Sequence, residues 1–249
     1  MPVININYND LISLIGVEIK RDEIIKKISD MGINIEKFDE EKFSVEILPD
    51  RPDLLSVEGI ARAFKNFIGV EKGIKRYVME KSDVILKVEK SVEEVRPYIA
   101  GCLIKNIKLS SDGISSLMEL QEKLHFSIGK NRRKVAIGVH DFDKVEPPFT
   151  YKGVKPHEVR FVPLAKYEEM SLDEILKKHE KGIEYAHLLE GKNLYPIIVD
   201  RHNQVLSFPP IINAQLTAVT EETENIFIDV TGIDEKAVKE ALIIISTSL

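Results

Sequence analysis

Apolar and polar positions fall into two recurring periods along the chain. From 2–8, Ile4, Ile6 and Tyr8 alternate with Asn5 and Asn7, the period of a half-buried strand. Asn9 and Asp10 follow as candidate caps for a short helix carrying Leu11, Leu14 and Ile15. A second helix is predicted over 22–31, where Ile24, Ile25, Ile28 and Met31 share a face and Gly32 supplies the stop. Residues 43–48 alternate as a strand and run into Pro49-Asp50-Arg51-Pro52-Asp53, where the prolines exclude helix. This turn reads as a self-satisfied cap and salt bridge rather than a site. Asp53 or Ser56 can cap a third helix over 57–68, with Ile60, Ala61, Phe64 and Ile68 inward. The polar stretch 71–83 then predicts the exit from a first domain, 1–83.

The second domain, 84–249, opens with strands over 84–88 and 99–107. An amphipathic helix over 114–128 turns Leu117, Met118, Leu124 and Ile128 inward and is closed by Gly129. A basic turn, Lys130-Asn131-Arg132-Arg133-Lys134, leads straight into a strand over 135–139. A strand over 158–164, a short helix over 172–180, strands around Ile197 and Ile226, and a helix from Glu235 complete the pattern. Helices and strands mixed in this order predict an α+β fold. The apolar run 241–245 continues towards the chain end without a stop signal, so more protein is expected to follow.

One stretch breaks both periods: Val205-Leu206-Ser207-Phe208-Pro209-Pro210-Ile211-Ile212-Asn213. Two prolines fix φ and remove two amide donors, so it fits neither mid-helix nor mid-ladder. Apolar residues on both sides predict that this kink is buried. Buried irregular backbone needs partners from side chains, water or a ligand, and Ser207 and Asn213 stand at its ends. The stretch is expected to form the wall of a pocket.

Composition narrows the chemistry. A chain of 249 residues, 43% hydrophobic and 31% charged, has the make-up of an ordinary soluble protein of one or two domains. Its net charge of −6 makes it no general trap for nucleic acid, and no DNA partner is expected. RNA contact would have to come from Lys130, Arg132, Arg133 and Lys134, which read either as a solvated turn complementing a helix dipole or as a phosphate contact. The single cysteine, Cys102, allows no internal disulfide and suits a reducing cytoplasm. No apolar run reaches the ~18 residues of a membrane span. Phosphate-loop, dinucleotide and C-x-x-C patterns are missing, and the six histidines show no metal-ligand spacing. His140, beside Asp141, reads either as a general base or as a polar strand end.

In their order, several stretches together resemble the β subunit of the archaeal and eukaryotic phenylalanyl-tRNA synthetase. They are Leu48-Pro49-Asp50-Arg51-Pro52-Asp53 with its continuation to Ala61, Asn131-Arg132-Arg133-Lys134-Val135-Ala136-Ile137-Gly138 and Phe161-Val162-Pro163-Leu164. They continue with Lys181-Gly182-Ile183-Glu184-Tyr185-Ala186, Leu206 to Asn213 and Asn225-Ile226-Phe227-Ile228-Asp229-Val230-Thr231-Gly232. The resemblance implies a small N-terminal domain followed by a B3/B4 editing domain. It also implies that ATP, Mg and the α-subunit partner of the heterotetramer belong to the complete ligase, with no cofactor and no metal in this fragment. The activity implied here is hydrolysis of tyrosine wrongly esterified to the phenylalanine tRNA; the alternative is a tRNA-binding and assembly module without hydrolysis of its own.

Carried onto matching positions, the resemblance implies Ser207, Asn213 and Asp229 as catalytic residues, with Ser207 and Asn213 for the substrate or its water and Asp229 with Thr231 for either the α-amino group, which a carboxylate suits, or the tyrosine hydroxyl. Ile198, Leu206, Pro209 and Thr231 would line the substrate pocket, and Lys130, Arg132, Arg133 and Lys134 would contact tRNA. The plainer readings stay open: an Asx turn for Asp229 and Thr231, and a hydroxyl serving the kinked backbone for Ser207. Physically, an apolar pocket rejects an added hydroxyl only weakly, so a second site must bind it. Buried polar partners would reject phenylalanine, at about 1–3 kcal/mol for each partner left unpaired.

Overall fold

The structure, a computed structural model, describes residues 2–249. Its first unit runs β1 (Val3–Asn7), α1 (Tyr8–Ile15), α2 (Arg21–Asp30), β2 (Asn34–Phe38), β3 (Lys42–Glu46) and α3 (Val57–Phe67). The three strands form an antiparallel sheet of order β1-β3-β2, with Ile4 opposite Val45 and Ile6 opposite Phe43. These side chains meet Leu11, Ile24, Ile28, Ile60 and Phe64 from the three helices. Asn7, not Asn9 or Asp10, caps α1: its Oδ1 accepts from the Asn9 amide at 2.8 Å. Ser56 caps α3, accepting from the Gly59 amide at 3.1 Å. Arg51 and Asp53 pair with each other at 2.9 Å, so the proline turn is satisfied from within.

The second unit contains β4 (Leu86–Val88), β5 (Tyr98–Ile104), α4 (Ser111–Phe126), β6 (Val135–Asp141), β7 (Phe149–Val154), β8 (Arg160–Phe161) and β9 (Met170–Ser171). After these come α5 (Leu172–Lys178), α6 (Glu180–Tyr185), β10 (Tyr195–Val199), β11 (Val205–Phe208), β12 (Ile212–Asn213), β13 (Ile226–Gly232) and α7 (Glu235–Ser246). Two sheets carry the site. One has the order β12-β11-β10-β7-β4, and the other β5-β13-β6 with β13 central. Every residue of β6 and β13 is buried, because one face packs on α4 and α7 and the other looks towards the five-stranded sheet. Ile226, Ile228 and Val230 join the helix-side cluster, while Phe227 points the opposite way to Phe149, Tyr151 and Leu206. The helix-side cluster continues into the core of the first unit, so both share one apolar body. The fold is α+β.

The strand expected over 158–164 shrinks to Arg160–Phe161. Past it, Leu164 and Gln215 take backbone bonds that lead the chain alongside the segment 213–215 instead.

Candidate functional site

The Pro-Pro stretch is a hairpin. β11 and β12 pair antiparallel, Ser207 with Asn213 and Phe208 with Ile212, and the two prolines occupy the connection where no ladder donor is needed. The Pro209–Pro210 bond is cis. A register shift between Ile198 and Val199 pairs them with Ser207 and Val205 and leaves Leu206 over, a bulge that re-aims the strand end. The hairpin faces β6, where Asn213 Nδ2 donates to the Val139 carbonyl at 3.3 Å.

Between α4 and β6 the chain reverses through Lys130, Asn131 and Arg132, all at φ between 48° and 61°. Gly129 precedes them because a Cβ there would collide with the His125 carbonyl and lie 2.6 Å from that of Val135. The left-handed turn swings Arg132 inward, where it is 7% exposed. Its Nη1 donates to the Ile211 carbonyl at 2.7 Å and more distantly to that of Pro210 at 3.4 Å, while Nη2 meets Glu122 at 2.6 Å. The guanidinium lies 4.5 Å over the Tyr185 ring.

Hairpin, β6, β13 and the inner face of α4 enclose a cavity of about 270 Å³. Its floor is polar and buried: Asp229 is 1% exposed, and Ser207, Thr217 and Thr231 are equally buried. His140, with 0% exposure, bridges Asp229 Oδ2 and Thr217 Oγ1, each at 2.8 Å. Gly138 makes that pairing possible, since a Cβ there would collide with Asp229 Oδ2 and lie 2.6 Å from His140 Nε2. The Ser207 hydroxyl has no hydrogen-bond partner among the described residues. Buried polar atoms rarely go unpaired, so this one marks a place for a guest. Arg132 Nε, on another lining residue, is also unpaired among the described residues.

Thr231 is already engaged. Arg96 donates to its hydroxyl and to its carbonyl, both at 2.9 Å. Burial pushes the Arg96 pKa down to about 10 and the Tyr151 phenol up. Tyr151 donates in turn to the Arg96 carbonyl at 2.8 Å.

Towards the mouth the lining becomes exposed, with Glu122 and Lys181 reaching solvent. His125 accepts the Ile137 amide on Nε2 at 2.8 Å, which leaves Nδ1 to face Glu122 at 3.3 Å. Burial pushes His125 down to about 4, so it is neutral at pH 7. Burial acts against the Glu122 carboxylate too. The hydrogen bond to His125 and the charges of Arg132 and Lys181 outweigh it and hold Glu122 at about 2.

Of the residues expected from sequence, Ser207, Pro209, Asn213, Asp229 and Thr231 line this cavity. Ile198 and Leu206 do not. They pack with Val92, Phe149, Tyr151 and Phe227 between the sheets, because the bulge leaves the cavity to Ser207. Arg132, expected among the tRNA contacts, is buried and clamps the hairpin from inside. Lys134 pairs with Asp234 at 3.0 Å, whereas the side chains of Lys130 and Arg133 are exposed and make no ion pair among the described residues. The pattern reading passed over Arg96, Glu122, His125 and Thr217. His140, expected as a general base or a polar strand end, is buried against Asp229, while Asp141 caps the turn after β6 and accepts from Thr223 at 2.9 Å.

Comparison with known proteins adds an independent view. A family model described as the B3/4 domain matches residues 86–245, and one described as the Phe-tRNA synthetase beta subunit B1 domain matches 1–70. The phenylalanine–tRNA ligase beta subunit of Methanosphaera stadtmanae is 47% identical over 249 residues, covering 100% of this chain and 44% of that protein. Its counterpart in Archaeoglobus fulgidus is 49% identical, with 100% and 45% covered. This chain therefore spans less than half the length of these relatives. Among solved structures, an N-terminal fragment of the Pyrococcus horikoshii phenylalanyl-tRNA synthetase beta subunit superposes with a TM-score of 0.93 at 39% identity. That match covers 99% of this chain and 73% of the fragment.

Proposed function

This chain belongs to the phenylalanyl-tRNA synthetase β-subunit family, and from that premise we propose that its cavity hydrolyses tyrosine wrongly esterified to the phenylalanine tRNA. The observation that carries the reading is the gradient from a buried polar floor to an exposed mouth. At about 270 Å³ the cavity lies below the roughly 300–1,000 Å³ of pockets for drug-sized ligands, which suits one amino-acid side chain. The tRNA must stay outside, so the ester sits near the mouth and the far end of the side chain reaches the floor. There a phenol O–H donates to Asp229, and the unpaired Ser207 hydroxyl donates to the phenol oxygen. Phenylalanine would leave both groups bare.

Hydrolysis needs little else. Water adds to the ester carbonyl carbon, the tetrahedral intermediate expels the ribose oxygen, and the proton released by the water ends on that oxygen. Free tyrosine and intact tRNA result. Asn213, half-buried in the lining, can hold the water, and the neighbouring ribose hydroxyl can pass the proton, so no protein nucleophile is required. Lys130 and Arg133 are the side chains free to meet RNA phosphates. Docking to an α subunit, and the ligase reaction with ATP and Mg, would fall to the complete β subunit and its partner. The test is amino-acid release from tyrosyl and phenylalanyl esters of the same tRNA. Faster release of tyrosine is expected; equal rates would refute the reading.

A further inference from the structure

Asp229 can read a phenol only if its carboxylate is fixed and left with one oxygen to offer. His140 meets each condition. A carboxylate only accepts, so the 2.8 Å contact requires the proton to sit on His140 Nε2. That bond consumes Oδ2, and Oδ1 accepts no hydrogen bond from any described residue. On the other side of the ring, Thr217 Oγ1 lies 2.8 Å from Nδ1. Its other hydrogen-bond contacts, to the carbonyls of Ala214 and Leu206, are longer at 3.3 and 3.4 Å. These contacts hold the ring in place from both of its nitrogens. Phe227 stacks beside the imidazole at 6.1 Å, and Gly138 leaves the space in which the two side chains meet.

We infer that His140 is a specificity-positioning residue: held by Thr217, it aims Asp229 so that a single carboxylate oxygen faces the distal end of the bound side chain. The inference rests on the proposed editing reading and extends it to a residue that touches no substrate. The effect of His140 falls on substrates carrying a hydroxyl at the far end of the ring and spares those without one.

That asymmetry makes the test. In His140→Gln the side-chain amide can still donate from near the Nε2 position. His140→Asn reaches only the Nδ1 position and abandons Asp229. Hydrolysis of tyrosyl and phenylalanyl esters of the same tRNA is measured for both variants and the unaltered chain, with thermal midpoints alongside. His140→Asn is expected to lose about 10- to 100-fold of the preference for tyrosine, the scale of a hydrogen bond to a charged group, with its phenylalanyl rate unchanged. His140→Gln should keep the preference within a few-fold. Equal losses on both esters, or equal behaviour of the two variants, would make His140 merely structural and overturn the inference. An unaltered chain without preference for tyrosine would instead refute the editing reading itself, and this inference with it.

Discussion

Replacing Arg132 with Met separates two accounts of the basic turn. Met keeps an apolar stem of similar reach and removes the guanidinium. The structure then loses the 2.7 Å bond to the Ile211 carbonyl, the weaker 3.4 Å one to Pro210, and the contact over Tyr185. An abandoned buried carbonyl costs about 1–3 kcal/mol, and the cation–π contact about 0.5–2 kcal/mol. The bond to Glu122 adds little, because that carboxylate is half exposed. A loss of about 2–4 kcal/mol follows, which in a chain of this size lowers the midpoint by about 4–16 °C. Thermal unfolding by circular dichroism reads the shift, and tRNA binding at several salt concentrations reads any phosphate contact. A surface contact would leave the midpoint unchanged and reduce the salt slope by about one. That result would refute the inward placement of Arg132 and the clamp on the hairpin.

Other consequences follow from the same geometry. Ser207→Ala removes a hydroxyl that has no partner, so the free protein should be equally or more stable while the preference for tyrosyl esters falls by about tenfold; calorimetry and hydrolysis together check this opposition of signs. Gly138→Ala drives a methyl between Asp229 and His140, and hydrolysis of tyrosyl esters should drop at least tenfold without either side chain being changed. Stability should decline with acid below neutrality. His125 is held at about 4 in the fold against 6.5 unfolded, so the unfolded chain binds more protons between those values and stability falls as pH drops. The loss approaches about 3 kcal/mol near pH 4. Glu122, held at about 2, extends it lower, since its contribution is present above the ordinary carboxylate range and lost as pH falls. Midpoints from pH 7 to 4 test this, and a flat profile would contradict it.

Short-range signals in the sequence were reliable where one element decides its own fate. Strand β1 alternates, Gly32 takes φ +80° after α2, Ser56 caps α3, and the double proline marks a buried hairpin at the cavity wall. Positions decided by partners far away were not legible. Strand β10 is apolar at every position because both faces are covered, so nothing local says which face Ile198 serves. β2 is an exposed edge strand with almost no apolar signal. Arg132 looks like a surface cation until three left-handed residues turn it inward. His140 meets Asp229 across 89 positions of sequence, while its neighbour Asp141, adjacent in the chain, points elsewhere.

The most direct test of the central claim follows release of tyrosine and of phenylalanine from the same tRNA by this chain and by Asp229→Ala. The account predicts faster release of tyrosine by the unaltered chain. In a folded Asp229→Ala variant that preference should be lost. Equal rates for the two esters in the unaltered chain, or a preference that survives removal of the Asp229 carboxylate, would contradict it.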